Sequence, residues 1–323
     1  MSAAYATREG RGAFVRMDFN EGPPPPAPLL AADLAGALAM YPEYGPLKEA
    51  AARAWGVDPA RIVPVNGADE GIFLALRLLG GGGLALPVPA FSMYRVYADQ
   101  LGIPVAEAPM GPDFEVDVDA LLAAPGSVVA LTTPNNPTGR ALPAGAVERV
   151  LAQGRTVLLD ETYGAFCGQD FAPLLERWPN LVLLRTLSKA YGVPGLRCGF
   201  ILASPARAGE LDALRSPFNV NAAAVVLGAR LLAEDRTFPD RVAGAVAARA
   251  RVQDGLRAAG YATFPSDAHF FLARLEPGAA GRLAAAGILI KDYPALGEGM
   301  VRISVPGPAE AEAFEAAFLK GRP

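Results

Sequence analysis

Lys189 is one of four lysines in the chain, with Lys48, Lys291 and Lys320, and it lies in TLSKAYGVPGLRCG, residues 186–199. A lysine after a small hydroxyl residue, followed by a glycine-rich turn and an arginine, suits two tasks. Its amine can form an imine with an aldehyde. Ser188 and Arg197 can hold a phosphate on that same molecule. Read alone, the segment fits a surface lysine beside a loop equally well. Asp160 closes the apolar run 156–160, where a carboxylate is partly desolvated unless paired. A protonated pyridine nitrogen would pair with it, and a helix N-cap after a strand is the plainer reading. Tyr163, three residues on, and Asn136, in the turn PNNPTG (134–139), can both donate to a phenolate oxygen. Phe91 can stack on a ring or fill the core. Aldehyde, phosphate, pyridine and phenolate are combined in pyridoxal 5'-phosphate.

These residues need a scaffold that brings them together. Apolar runs at 62–65, 84–87, 127–132, 156–160, 181–185 and 199–203 are short and continuous, and amphipathic stretches separate most of them. Such alternation predicts an α/β fold with a mostly parallel sheet covered on both faces. Helices are expected at 46–55, 66–79, 91–101, 146–153 and 221–234. The first chemistry-bearing residues, Ala68 and Asp69, begin one of these helices, and their backbone N–H groups make an anion site. Asn136, Asp160, Tyr163, Ser188 and Lys189 each follow a strand's C-terminal end, the edge where open α/β sheets bind ligands. Beyond about 239 a long helix leads to short strands at 270–275, 288–291 and 301–305 and a last helix at 308–319. This reads as a smaller α+β domain completed by an irregular, proline-rich N-terminal arm. The domains expected are an arm at 1–36, a large domain at 37–236 and a small one at 237–323.

Bulk composition removes several classes. A net charge of −4 and no basic stripe argue against a nucleic-acid binder. No window nears ~18 consecutive apolar residues, so no membrane span is expected. With a single histidine, His269, and two cysteines, Cys167 and Cys198, neither a metal site nor a Ser-His-Asp triad is expected. No GxxxxGK[ST] loop and no dinucleotide fingerprint are present. The opening MSAAY lacks an apolar stretch behind a basic head, which gives the expectation of a cytoplasmic protein.

Read together, GADEGI (67–72), PNNPTG (134–139), DETY followed by FC (160–167), LRTLSKA (184–190) and GLRCGF (195–200) resemble the fold-type I pyridoxal-phosphate aminotransferases, and within them the histidinol-phosphate aminotransferase branch. The likeness runs in order from FNEGP (19–23) to VRISV (301–305). It implies a mostly parallel seven-stranded sheet between helices. It also implies that Lys189 is the imine lysine, Asp160 the pyridinium partner, and Tyr163 and Asn136 the phenolate donors. Gly67, Ala68, Asp69, Ser188 and Arg197 match the phosphate cup, and Phe91 stands where relatives stack a tyrosine. Tyr41, in YPEYG, matches a tyrosine that reaches the cofactor of a neighbouring subunit, which implies a homodimer with shared sites. Arg302 matches the arginine that grips the substrate's anionic group, with Asn136 beside it. Lys291 stands where relatives have a second arginine, and Tyr5 is placed as an arm tyrosine closing over the substrate. His269 reads as a structural residue with a pocket role open. The implied reaction is amino transfer from histidinol phosphate to a 2-oxo acid such as 2-oxoglutarate. The alternatives are an aromatic amino acid aminotransferase, a lyase resembling threonine-phosphate decarboxylase, and a non-catalytic regulator, for whose DNA-binding module the chain has no length.

Overall fold

The computed structural model describes residues 9–32 and 34–319. After β1 (Val15–Met17), seven strands build the larger sheet: β2 (Ile62–Asn66), β3 (Leu84–Val88), β4 (Val105–Pro109), β5 (Val128–Thr132), β6 (Thr156–Asp160), β7 (Leu181–Thr186) and β8 (Cys198–Leu202). Their order is β2-β8-β7-β6-β5-β3-β4. Pairs among β3 to β7 are parallel, while β8 runs antiparallel to both neighbours.

The expected continuous apolar strands follow from burial on two faces. Because successive side chains alternate, Val129, Leu131, Val157, Leu159, Leu181 and Leu183 enter one helix-covered core. Val128, Ala130, Leu158, Val182 and Leu184 enter the other. At roughly 1.5–3 kcal/mol for each fully buried aliphatic side chain, neither face tolerates a polar run. Chemistry is therefore confined to the strand ends.

β9 (Ala262–Thr263), β10 (Phe270–Arg274), β11 (Ile288–Asp292) and β12 (Met300–Ser304) form a second sheet, ordered β1-β11-β12-β10-β9. β1 pairs in parallel with β11, Arg16 opposite Leu289, so the arm supplies an edge strand. Met17, Phe271, Ile303 and Phe314 are fully buried in its core. Helix Phe238–Ala258 packs its first half in a cluster with Tyr163 and Phe166 and its second half in this core.

Several local expectations differ in detail. The arm carries β1 and two short helical turns, Ala27–Leu30 and Ala35–Leu38, where only irregular chain is expected. Edge strand β4, VAEAP, escapes the reading because its pattern is broken by Glu107 and Pro109. The final helix is α-helical only over Pro308–Phe314 and then winds as a π turn over Glu315–Leu319.

Beyond β1 the chain crosses the end of the larger sheet as a strap, residues 18–24. Two glycines permit the approach. A Cβ on Gly22 would lie 1.8 Å from the Lys189 carbonyl oxygen, and one on Gly192 would lie 2.0 Å from the Pro23 carbonyl oxygen. Arg241 Nη1 donates to that Pro23 oxygen at 2.7 Å. Both clashes are with backbone, which cannot rotate away. Gly22→Ala is therefore expected to cost about 1–3 kcal/mol of stability, the usual toll of overpacking. Urea denaturation that leaves the midpoint unchanged would show that the strap does not seat on Lys189.

Candidate active site

The polar side chains at the ends of β5, β6 and β7 converge on one cavity. Ala68, Asp69, Phe91, Asn136, Asp160, Tyr163, Ser188, Lys189, Arg197 and Arg302 all line it. The structure thus brings together residues spread over 235 positions of sequence (from 68 to 302).

Asp160 ends β6 and is buried. Its Oδ1 accepts from the Thr162 amide at 2.9 Å and its Oδ2 from the Tyr94 hydroxyl at 3.1 Å. Burial raises its pKa, and these hydrogen bonds oppose the rise. Among the described residues no cation stands within ion-pair distance of it, so a cationic nitrogen brought into the cavity would complete the arrangement. Tyr94, fully buried on helix Met93–Gln100, was missed in the sequence. Its spacing marks only a core face.

Lys189 sits in the turn after β7, its amine donating to the Phe19 carbonyl of the strap at 2.7 Å. Burial, with the charge of Arg302 adding to it, lowers its pKa to about 8. A fraction of the amine is then neutral, and nucleophilic, near physiological pH. Tyr163 follows β6, buried against Phe270 at 4.9 Å between ring centroids.

At the opposite end lies an anion cup. Helix Gly67–Leu79 begins here, and among the described residues no side chain caps its first amide donors. Ser188 lies buried on the turn, its hydroxyl accepting from Thr186 at 2.9 Å. Arg197, held at φ +55°, reaches over with Nη2 to Asp69 at 3.1 Å. Gly67 has φ +76°, and a Cβ there would lie 2.3 Å from that guanidinium. Phe91 stands on the wall, edge-on to Tyr94 at 6.4 Å.

Arg302 rises from β12 and is buried. It donates to Asn136 Oδ1, to the Asp18 carbonyl at 2.5 Å and to the Tyr293 hydroxyl at 2.9 Å. Its Nε is buried without a partner among the described residues. Lys291 is directly opposite Arg302 in the antiparallel register of β11 and β12, which places both side chains on one face. Lys291 itself does not line the cavity.

Tyr41 stands away from the cavity of its own chain. It is 75 % exposed and stacks on Phe218 at 4.1 Å. Tyr5 falls outside the described residues. His269 is buried, stacked on Phe166 at 4.1 Å, and burial drives its pKa down to about 3, so it stays neutral. The strap residues Phe19, Asn20 and Glu21 also line the cavity. In the sequence they carried part of a family likeness and no chemical signal.

An acid facing a required cation, a buried amine and an anion cup fit the pyridinium, the aldehyde and the phosphate of pyridoxal phosphate. Comparison with known proteins gives the same class. A family model described as aminotransferase class I and II matches residues 18–317. A histidinol-phosphate aminotransferase of Thermococcus gammatolerans is 36 % identical over 271 residues, covering 83 % of this chain and 78 % of the relative. Among solved structures, histidinol-phosphate aminotransferase from Sinorhizobium meliloti in complex with pyridoxal-5'-phosphate is 27 % identical at a TM-score of 0.82, over 94 % of this chain and 90 % of that one. L-threonine-O-3-phosphate decarboxylase from Porphyromonas gingivalis is 26 % identical at 0.79, over 94 % and 98 %.

The lowered pKa of Lys189 has a direct chemical readout. In protein stripped of cofactor, borohydride trapping of added pyridoxal phosphate on Lys189 should increase with pH around a midpoint of about 8. A midpoint near the ordinary 10.5 would mean that the amine is not buried as described.

Proposed function

The chain belongs to the class I and II aminotransferases, pyridoxal-phosphate enzymes, and from that premise we propose that its amino donor is histidinol phosphate and its acceptor 2-oxoglutarate. The observation that carries this reading is the pairing of Lys291 and Arg302 on one sheet face, with Arg302 buried in the wall of the cavity that holds Lys189. Arg302 in the wall, with Lys291 opposite it in the neighbouring strand, suits a doubly charged phosphate arm, and Arg302's planar fork also suits a carboxylate. One pocket can then take both the donor and the glutamate formed from the acceptor. The histidinol-phosphate aminotransferases among its relatives support the same substrate.

Each residue's part follows from its chemistry. Asp160 would hold the pyridine nitrogen protonated. Asn136 and Tyr163 would donate to the phenolate oxygen. Gly67, Ala68, Asp69, Ser188 and Arg197 would bind the phosphate. When bound, pyridoxal phosphate supplies an electron sink for the negative charge left on the donor carbon. Lys189, neutral in part at physiological pH, would remove the proton from that carbon as a general base. Phe91 and the strap exclude water from the ring. In this reading residues 37–236 form the cofactor-binding domain, and 1–36 with 237–323 form the small domain that brings Arg302 and Lys291.

Tyr41 belongs to the reading through a second copy of the chain. Leu38, Met40, Tyr41 and Phe218 form an exposed apolar surface, with Met40 69 % and Leu38 64 % accessible. A homodimer that covers it would carry Tyr41 to the partner's phosphate cup. The two unpaired thiols, Cys167 and Cys198, suit a reducing compartment such as the cytoplasm.

The likeness to a threonine-phosphate decarboxylase keeps one competing outcome in view. A panel of histidinol phosphate, phenylalanine, tyrosine and threonine phosphate separates the readings by glutamate formation against carbon dioxide release. Lys189→Ala should abolish amino transfer while leaving noncovalent cofactor binding. Substantial turnover by that variant with added cofactor would remove Lys189 from its role. Lys291→Ala should raise KM for histidinol phosphate severalfold, and raise KM for glutamate less, because the doubly charged group uses the extra cation. Equal effects on the two would exclude Lys291 from substrate choice.

A further inference from the structure

Asn20 is a buried polar residue of the strap at φ +53°, in the left-handed region that asparagine tolerates better than most residues. Its surroundings fix which way its amide points. The Asn20 backbone N–H donates to Ser304 Oγ at 3.2 Å, so that hydroxyl already serves as an acceptor. The Ser304 proton is then given to Asn20 Oδ1 at 2.5 Å. With Oδ1 so used, Nδ2 faces the Tyr163 hydroxyl at 3.1 Å. The amide group offers only N–H there. Tyr163 must accept from it, and its own proton cannot be given to Asn20.

We propose that Asn20, oriented by Ser304, is a positioning residue that turns the Tyr163 hydroxyl proton into the cavity, toward the phenolate oxygen of bound pyridoxal phosphate. The proposal rests on the cofactor reading above and extends it to a residue for which the chain's chemistry-bearing motifs gave no role. A donor on the phenol oxygen also polarises its O–H and strengthens the bond that this O–H makes onward. The device spans both sheets. Ser304 is the last residue of β12, Asn20 lies in the strap, and Tyr163 follows β6. The hydroxyl is therefore aimed only when the strap is seated against both. The charged groups that share the cavity with Tyr163 are Glu21, Asp69, Asp160, Lys189, Arg197 and Arg302, and His269 lies beside its ring at 6.0 Å. Replacing Asn20 by a neutral residue alters the charge of none of them.

The test reads the pH at which the colour of the bound cofactor changes, a property of the resting protein that needs no turnover. A donor on the phenolate lowers that pH, so loss of aim should raise it. Asn20→Gly keeps the left-handed backbone accessible and removes the amide. The transition should move up by about 0.5–1 pH unit, the effect of one hydrogen bond to a charged or polar group. In a Tyr163→Phe background, which should itself raise the transition, Asn20→Gly should add nothing. Ser304→Ala, a smaller change should the glycine variant fold poorly, should move the transition the same way and also add nothing to Tyr163→Phe. An unmoved transition in both single variants, or equal shifts with and without the Tyr163 hydroxyl, would overturn the proposal. A wild-type protein that takes up no coloured cofactor would instead overturn the reading beneath it.

Discussion

A carboxylate buried with no cation of its own among the described residues is the constraint around which the cavity is organised. Asp160 cannot move toward solvent, because it is the last residue of a strand whose preceding three residues, 157–159, fill the two cores. Its two hydrogen bonds, from Thr162 and Tyr94, offset part of the desolvation and leave a demand for positive charge. A carboxylate in that state is costly alone and valuable with the right partner. Tyr94 takes its own place from this demand: burial and the nearby Asp160 charge push its pKa far up, so it remains a donor at all ordinary pH values.

The opposing wall handles charge differently. Lys189 is buried with its pKa lowered, and Arg302 is held by one carbonyl, one amide oxygen and one phenol. Neither is neutralised by a carboxylate in direct contact among the described residues. Two cationic groups are thus fixed by neutral dipoles, which orient them without cancelling their attraction for an anion. The strap provides two of those dipoles, the carbonyls of Asp18 and Phe19. It also carries an ionic clasp outside the cavity, where Arg11 meets Asp18 at 2.6 Å and Glu21 at 3.1 Å. The acids of the segment are thus paired with arginines, and Glu21, which also touches the cavity, pairs with Arg16 at 2.7 Å as well.

Much of this was legible in the sequence because burial on two faces leaves a strong mark. The runs ending at Thr132, Asp160 and Thr186 show where strands stop, and the residues just beyond them are the cavity wall. Lys189, Asp160 and Arg197 announce themselves by chemical type at those stops. The remainder was hidden for two physical reasons. Tyr94 and Phe19 contribute through one hydroxyl and one backbone carbonyl, and neither group distinguishes its residue from an ordinary core aromatic. Asn20 and Ser304 are 284 positions apart, so no local pattern records their contact. Edge strand β4 pairs on one side only, and its weaker alternation reflects that half-buried setting.

The strap also sets an order on assembly. Its anchoring strand β1 is made among the first twenty residues, whereas its partner β11 lies at Ile288–Asp292 and Ser304 closes β12. A ribosome must therefore deliver the chain through β11 before β1 can dock, a contact of very long sequence separation. Until then the nascent larger sheet holds its acid and amine beneath an uncovered mouth, open to water and to any small anion. Sealing of the chamber therefore waits for β11 and β12, and a translation product lacking those two strands would leave the mouth unsealed.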